Sequence, residues 1–539
     1  MVEHVVVTIN EGRVRGVKET SRFSHVEYYA FYGIPYAQPP VDNLRFQRPK
    51  KVRPWKDVLD GRTPKGGCTQ YSLYVFNFIG SEDCLYVNVF TPKLPKKDRT
   101  LKPVIAMIHP GGHQWGTPDP SDYGSPDFIM HHDIVYVTIG YRLHALGFLN
   151  LGLEECSGNQ GLKDIIMGLE WIQSNIKFFN GDPNNVTLLG SSSGGSVIHF
   201  LMLSPAVRDG LFHKVVIMGH YIFNPSISFR EEHLDVAESL AHRLNYTDED
   251  KNYKKMLKFL KSVQYDKFAQ IMKLYESKSD TTKAAIYPSG MFLPTVDHGK
   301  DAVLPASPRE LMHDMKKIPM IFGICEKEAA IGFCKKLRPN TEKYFYSIWY
   351  QNPWAWSAKI DEKGRNYITQ QVQSHYLNGQ ADSKIPISLA IDILTDAIFC
   401  DVYDSLLDLV SSELPVYVYK FQYDAECGGL KNRVFYLIQD HIDGAIHSDD
   451  FGYWALMHKP VKEKTVQVIE MFTKLICTFA RTGDPNYENL GVHWRPTTPQ
   501  EQCYLNIDDN IQLIEGKLNN DRMEFWNNLR TNVLKIKEN

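Results

Sequence analysis

The sequence predicts an α/β fold: a large, mostly parallel central sheet covered by helices on both faces. Three observations predict it. Short, nearly continuous Val/Ile/Leu runs recur along the chain, long stretches of helical periodicity separate them, and no repeat, low-complexity tract or Pro/Gly/Ser linker interrupts the 539 residues. A strand buried on both faces loses the apolar/polar alternation of a half-exposed one. Continuous apolar runs between amphipathic helices therefore mark a doubly covered parallel sheet. With no linker to divide it, the chain is expected to form a single domain, residues 1–539, since α/β folds often outgrow the usual domain length.

The N-terminal VEHVVVTINEGRVRG alternates as a strand and turn do. PVIAMIH (103–109) and DIVYVTIGY (133–141) read as buried strands. GLKDIIMGLEWIQSNIKFF (161–179), with apolar residues three and four apart, reads as a covering helix. The strands NVTLLG (185–190) and KVVIMG (214–219) follow. In KNYKKMLKFLKS (251–262), Tyr253, Met256, Leu257 and Leu260 make one apolar helix face, the lysines make a solvated one, and Asp248, Glu249 and Asp250 supply an acidic start. KIPMIFGI (317–324) and PVYVYKF (415–421) complete the set of buried strands. In such sheets function collects on loops at the carboxyl ends of the strands.

Hydrophobic residues make up 43% and charged residues 23%, the balance of an ordinary globular protein. A formal net charge of −3 offers no attraction to nucleic acid or to an anionic membrane. No apolar run approaches the roughly 20 residues of a membrane span. The N-terminus lacks the apolar core and small-residue cleavage site of a signal peptide. The chain reads as cytoplasmic, or as secreted if an upstream segment had been removed. Nine cysteines, an odd number thinly spread, make no disulfide scaffold. Only Cys68 and Cys84 are placed for a pair, and a bridge there needs an oxidising compartment. The sequons at Asn185 and Asn245 do not argue for secretion, because Asn185 opens a strand read as buried.

NVTLLGSSSGGSVIHFLML (185–203) carries Gly190-Ser191-Ser192-Ser193-Gly194, a G-x-S-x-G pattern where strand gives way to helix. Such a strained turn lifts a serine hydroxyl above the sheet, and side chains two positions to either side would collide with the chain. Ser191 would need glycines at 189 and 193, where Leu189 and Ser193 stand, and Ser193 would need one at 191. Ser192 is therefore the candidate nucleophile. A serine hydroxyl needs a base to take its proton and a third group to orient that base. The oxyanion formed on an attacked carbonyl needs donors already aimed at it. IHPGGHQWG (108–116) offers the backbone N–H groups of Gly111 and Gly112, and Ser193 offers a third. Spacing alone does not select the base among 19 histidines. His199, inside the helix after the turn, reads as packed, and His375 and His458 lie in helix-like stretches. His441 and His447 remain open.

FYGIPYAQPPVDNLRFQRP (31–49), SEDCLYVNVFTP (81–92), VTIGYRLHALGFL (137–149), GNQGLKD (158–164), FFNGDPNNVTLLGSSSGG (178–195) and GAIHSDDFGY (444–453) together resemble the type-B carboxylesterase and cholinesterase family nearly end to end. The last of these motifs is most similar to the insect α-esterase branch. The resemblance implies an α/β-hydrolase fold and a serine carboxylesterase with no metal or cofactor. It places the base at His447 and the acid at Glu328, five residues after Gly323 in GICEKE, with Glu326 as the neighbouring competitor. It also implies a structural ion pair between Arg45 and Glu82 and a first disulfide at Cys68–Cys84. Met523 stands where a C-terminal cysteine of the family is often found.

The chain departs from that pattern near the site. Ser191 and Ser193 replace the Glu and Ala that usually flank the nucleophile. Pro110 replaces the first of three loop glycines and cannot donate a hydrogen bond. His113 stands where an aromatic residue is usual, and Gly219-His220 replaces a Ser-Gly pair. No Trp lies between Cys68 and Cys84, so the aromatic platform for a quaternary ammonium is missing there and cholinesterase activity is not expected. The expected partner is a small, fairly apolar ester, xenobiotic esters included, with neither nucleic acid nor membrane; monomer and homodimer are both compatible. The alternative is a slow-turnover scavenger that binds esters or xenobiotics on the same fold.

Overall fold

In the computed structural model the described residues fold around a 13-stranded sheet. The structure describes residues 4–72, 77–95, 100–219, 222, 228–248, 250–277, 292–333, 362–377, 386–400, 414–425, 427–428, 431, 442–455 and 461–538. The main path comprises β1 His4–Thr8, β2 Arg13–Thr20, β3 Glu27–Pro35, β4 Tyr86–Thr91, β5 Lys102–Ile108, β6 Val135–Ile139, β7 Gly181–Ser191, β8 Lys214–Met218, β9 Met320–Cys325, β10 Val416–Phe421, β11 Cys503–Ile507 and β12 Gln512–Glu515. Their order is β1-β2-β3-β4-β6-β5-β7-β8-β9-β10-β11-β12, with the short strand Val58–Asp60 beside β2. Every pairing from β6 to β11 is parallel, the other pairings along the path are antiparallel, and Val58–Asp60 joins β2 in parallel. The fold class read from the sequence is borne out: its six apolar runs are β5 to β10. β7 starts earlier than its run, at Gly181, and β9 later than its run, at Met320.

Helices α1 Gln160–Asn175, α2 Ser193–Leu203, α3 Tyr253–Ser262 and α4 Glu463–Thr482 supply the cover. Alternate side chains of each central strand face opposite layers, as the pleat requires. Val104, Ala106 and Ile108 of β5 pack with Leu162, Ile165, Leu169 and Ile172 of α1. Ile105 and Met107 belong to the opposite layer, with Val468, Ile469, Phe472 and Phe479 of α4. The predicted helix 161–179 is α1 followed by a tighter 3-10 turn, Ile176–Phe179. α3 buries Met256, Leu257 and Leu260, and its N-terminus is capped by the Asn252 side chain, which accepts the Lys255 N–H at 3.1 Å. No helix among the described residues is long and apolar enough to cross a membrane.

Buried Arg45 ties two distant parts together. Its guanidinium donates to both Glu82 oxygens at 2.6 Å and to the Val263 and Lys261 carbonyls just beyond and at the end of α3. Losing one partner of such a pair strands a buried charge, at a cost of about 3–5 kcal/mol. Two residues beyond Glu82, Cys84 is joined to Cys68 by a disulfide. Of the two sequon asparagines, Asn185 lies in β7 ahead of a buried Thr187, and Asn245 is exposed.

The chain leaves β5 for β6 on one side and returns to β7 on the other. That reversal of strand order opens a crevice at the carboxyl end of β5, the usual ligand position in an open α/β sheet. The segments holding Gly111 and Gly112, Ser192, Gly219 and Glu328 follow β5, β7, β8 and β9 in turn.

Candidate active site

Ser192 is the single residue between β7 and α2, with φ 53° and ψ −128°. A residue with a Cβ pays roughly 1–3 kcal/mol to hold such a conformation. Neighbouring contacts hold it: the Ser192 N–H donates to the Met218 carbonyl at 2.9 Å, and the Ser196 N–H donates to the Ser192 carbonyl at 3.1 Å. A Cβ on Gly190 would lie 2.5 Å from the Gly194 carbonyl carbon, and one on Gly194 would lie 2.2 Å from the Ile108 carbonyl oxygen. The two glycines let the first turn of α2 sit directly on the ends of β7 and β5.

His447 lies between Ser192 and Glu328. Its Nε2 lies 2.8 Å from Ser192 Oγ and its Nδ1 lies 2.5 Å from Glu328 Oε2. The buried Glu328 carboxylate accepts the Cys325 N–H through its other oxygen at 2.7 Å. The Lys327 N–H donates to the Ala445 carbonyl at 2.9 Å, stitching the loop of Glu328 to the loop of His447. Glu326 lies instead beside Gly444, where a Cβ would come within 2.6 Å of its Oε2. Gly219, at φ +54°, leaves room for Glu328 and His447, since a Cβ there would be 2.9 Å from Glu328 Oε1 and 3.3 Å from His447 Nδ1. His220, His441 and His458 lie outside the described residues. His375 stacks on Phe525, with centroids 4.0 Å apart.

Behind the pair lies a second buried acid that sequence reasoning did not single out. The Tyr419 hydroxyl donates to Asp450 Oδ2 at 2.6 Å. Burial, and then the neighbouring Glu328 charge, push the Asp450 carboxyl up to about 6. Gly323 makes this arrangement possible: a Cβ there would lie 1.8 Å from Tyr419 Cζ, so the tyrosine ring fills the space of the missing side chain. Ser191 and Ser448 were likewise not paired from sequence. Their buried hydroxyl oxygens are 2.9 Å apart, and no spacing signal links residues so distant in the chain.

The loop after β5 turns tightly. The Gly111 carbonyl accepts the N–H groups of Gln114 at 3.0 Å and Trp115 at 3.1 Å, and a Cβ on Gly111 would lie 1.8 Å from the Trp115 carbonyl oxygen. Gly111 and Gly112 have φ of 128° and 60°. Ser193 is the first residue of α2, where backbone N–H groups have no carbonyl partner within the helix and the helix dipole favours negative charge.

Five buried histidines, His109, His113, His144, His199 and His233, are held neutral by burial, with pKa values pushed down from 6.5 to about 4, 3, 4, 4 and 3. A folded-state pKa below the unfolded one gives stability that is complete above 6.5 and lost as pH falls toward the folded value. Asp450 and Asp449, raised to about 6 and about 7, act oppositely, losing stability as pH rises through those values. Asp396, raised to about 6, acts with them, and between pH 4 and 6.5 the five histidines outweigh these three acids, so their combined contribution to stability rises with pH. His199 packs inside α2 and its shift comes from burial alone. His199→Leu is expected to shrink the stability lost between pH 7 and 4.5 by roughly 2 kcal/mol, read from urea unfolding at the two pH values. An unchanged loss would overturn this account.

A family model described as the carboxylesterase family matches residues 3–526. Esterase E4 of Myzus persicae is 30% identical over 522 residues, covering 91% of this chain and 88% of that protein. Pyrethroid hydrolase Ces2e of Rattus norvegicus is 29% identical over 548 residues, covering 96% and 88% respectively. Among solved structures, juvenile hormone esterase from Manduca sexta, with OTFP covalently attached, is similar at a TM-score of 0.82 and 25% identity, covering 98% of this chain and 100% of that one.

Proposed function

Because the chain belongs to the carboxylesterase family and is a carboxylic ester hydrolase, we propose that it works through an acyl-enzyme on Ser192, with His447 as base and Glu328 as the acid that orients it. The observation that carries this reading is the single imidazole within hydrogen-bond reach of both Ser192 Oγ and Glu328 Oε2. With Nδ1–H donating to Glu328, Nε2 accepts the Ser192 proton as Oγ attacks the acyl carbonyl. The oxyanion is received by the N–H groups of Gly111, Gly112 and Ser193. His447 then returns the proton to the leaving alcohol, and water, activated by the same base, releases the acid.

The favoured substrates are small, neutral, fairly apolar esters, xenobiotic esters among them. Phe399, its ring 5.6 Å from that of His447, places apolar surface beside the base, and a pyrethroid hydrolase is among the relatives. The ligand is a small molecule, with no part for nucleic acid or membrane.

Stopped-flow mixing with excess p-nitrophenyl butyrate tests the mechanism. One equivalent of nitrophenol per chain is expected as a burst, followed by linear turnover, and an organophosphate is expected to add once, at Ser192. Absence of both burst and adduct would overturn the acyl-enzyme. A burst with negligible turnover would support the scavenger reading, to which Ser191 lends some weight by pairing with Ser448 where the family usually has a carboxylate.

A further inference from the structure

Between the two proposed halves of the oxyanion hole runs a side-chain bridge that the mechanism above does not use. His113 follows Gly111 and Gly112 at φ +62° and is fully buried, edge-on to Phe148 at 5.1 Å. Its carbonyl accepts the His144 N–H at 2.7 Å, which fixes the backbone side of the residue. Its ring Nε2 lies 3.2 Å from Ser196 Oγ, and that hydroxyl donates to the Ser193 carbonyl at 2.8 Å. A serine hydroxyl has one proton, and here the Ser193 carbonyl takes it. The lone pairs of Ser196 Oγ then accept from His113 Nε2–H, which assigns the tautomer from the hydrogen-bond network. Burial pushes His113 down to about 3, so the imidazole stays neutral and the direction of the chain does not change over the working pH range.

The bridge therefore runs from the residue after Gly112, through Ser196, to the residue whose N–H is the third oxyanion donor. We propose that His113 is a positioning residue for the oxyanion hole, holding the Gly111 and Gly112 amides in register with the Ser193 amide through Ser196. The inference rests on the acyl-enzyme reading of Ser192. Its mechanical logic is specific: the loop after β5 and the first turn of α2 belong to different elements, and donors act fully only when already fixed where charge develops. An aromatic ring at 113 would keep the packing against Phe148 but could not donate to Ser196. Loss of the bridge should thus weaken transition-state stabilisation while leaving ground-state binding alone.

The test compares wild type with His113→Phe, Ser196→Ala and the double variant, using p-nitrophenyl butyrate and a trifluoromethyl ketone that adds reversibly to the nucleophile. Each single variant is expected to lose about tenfold in kcat, with KM within about twofold, because small misplacements of fixed groups cost up to ~100-fold. Trifluoromethyl ketone affinity should fall in parallel with kcat, the double variant should be no slower than the slower single, and the pH–rate profile should keep its acidic limb. Ser196→Ala adds no bulk and keeps the test decisive if His113→Phe folds poorly. Wild-type kcat in Ser196→Ala, fully additive losses, or a rise in KM at constant kcat would each overturn the proposal. A wild type that shows neither burst nor Ser192 adduct would instead overturn the acyl-enzyme reading.

Discussion

Ser192→Ala is expected to lower ester turnover by about 10⁶-fold and to abolish the stoichiometric organophosphate adduct, in line with removal of a serine nucleophile that acts as one unit with its base. The substitution removes one oxygen and leaves the strained turn in place, because alanine meets the same backbone constraint at φ 53°. Unfolding temperature should therefore stay close to wild type, and circular dichroism should show an unchanged fold. Ser191→Ala and Ser193→Ala serve as controls within the same run of serines. Ser191→Ala loses the contact with Ser448, a net effect of about 1 kcal/mol for one buried hydrogen bond. Ser193→Ala keeps the backbone N–H that is proposed to meet the oxyanion. Both controls should retain the adduct. An adduct that persists in Ser192→Ala and vanishes in either control would move the nucleophile to its neighbour.

Glu328→Gln is expected to cost about 10⁴-fold in kcat with the fold intact, a loss of the size seen when a triad acid becomes an amide and the imidazole takes the wrong tautomer. The local hydrogen bonds explain why the amide cannot compensate. The carboxylate accepts twice, from the Cys325 N–H at one oxygen and from His447 Nδ1 at the other. A glutamine has one acceptor oxygen. The backbone N–H of Cys325 cannot turn away, so the amide oxygen faces it and the NH₂ faces His447. Nδ1 must then accept, the ring proton moves to Nε2, and the base can no longer take a proton from Ser192. Glu326→Gln should change kcat by less than about tenfold, because Glu326 lies beside Gly444 and away from the imidazole. Steady-state kinetics of the two variants distinguish the carboxylates, and a larger loss in Glu326→Gln would reassign the acid.

How much of this was readable beforehand follows from how local the causes are. The six buried strands carry continuous apolar runs because both faces of the central sheet are covered. The last parallel strand is less readable: β11, CYLNI, has a burial pattern that alternates with half-buried Tyr504 and Asn506, and so carries no long apolar run. The turn at Ser192 is readable because both glycines its crowding requires stand within five residues, although the backbone that Gly194 meets belongs to Ile108 of β5. Gly323 shows the opposite case. Its need is set by the ring of Tyr419 on the neighbouring strand, and nothing within GICEKE reveals that ring or the Asp450 it reaches.

The sequence by itself determined the α/β class, six of the seven parallel strands and the register that singles out Ser192, because apolar periodicity and the spacing of two glycines are written over a few residues. Resemblance to a family, rather than spacing, selected His447 and Glu328. Only the tertiary structure decided that a single imidazole reaches both groups, that Glu326 lies apart, and that Ser191 meets Ser448 and His113 meets Ser196. Each of those contacts joins residues 83 to 257 positions apart. Such pairings are set by where β5, β7 and β9 end at one edge of the sheet and by the loop that brings His447 to them, which no local pattern encodes.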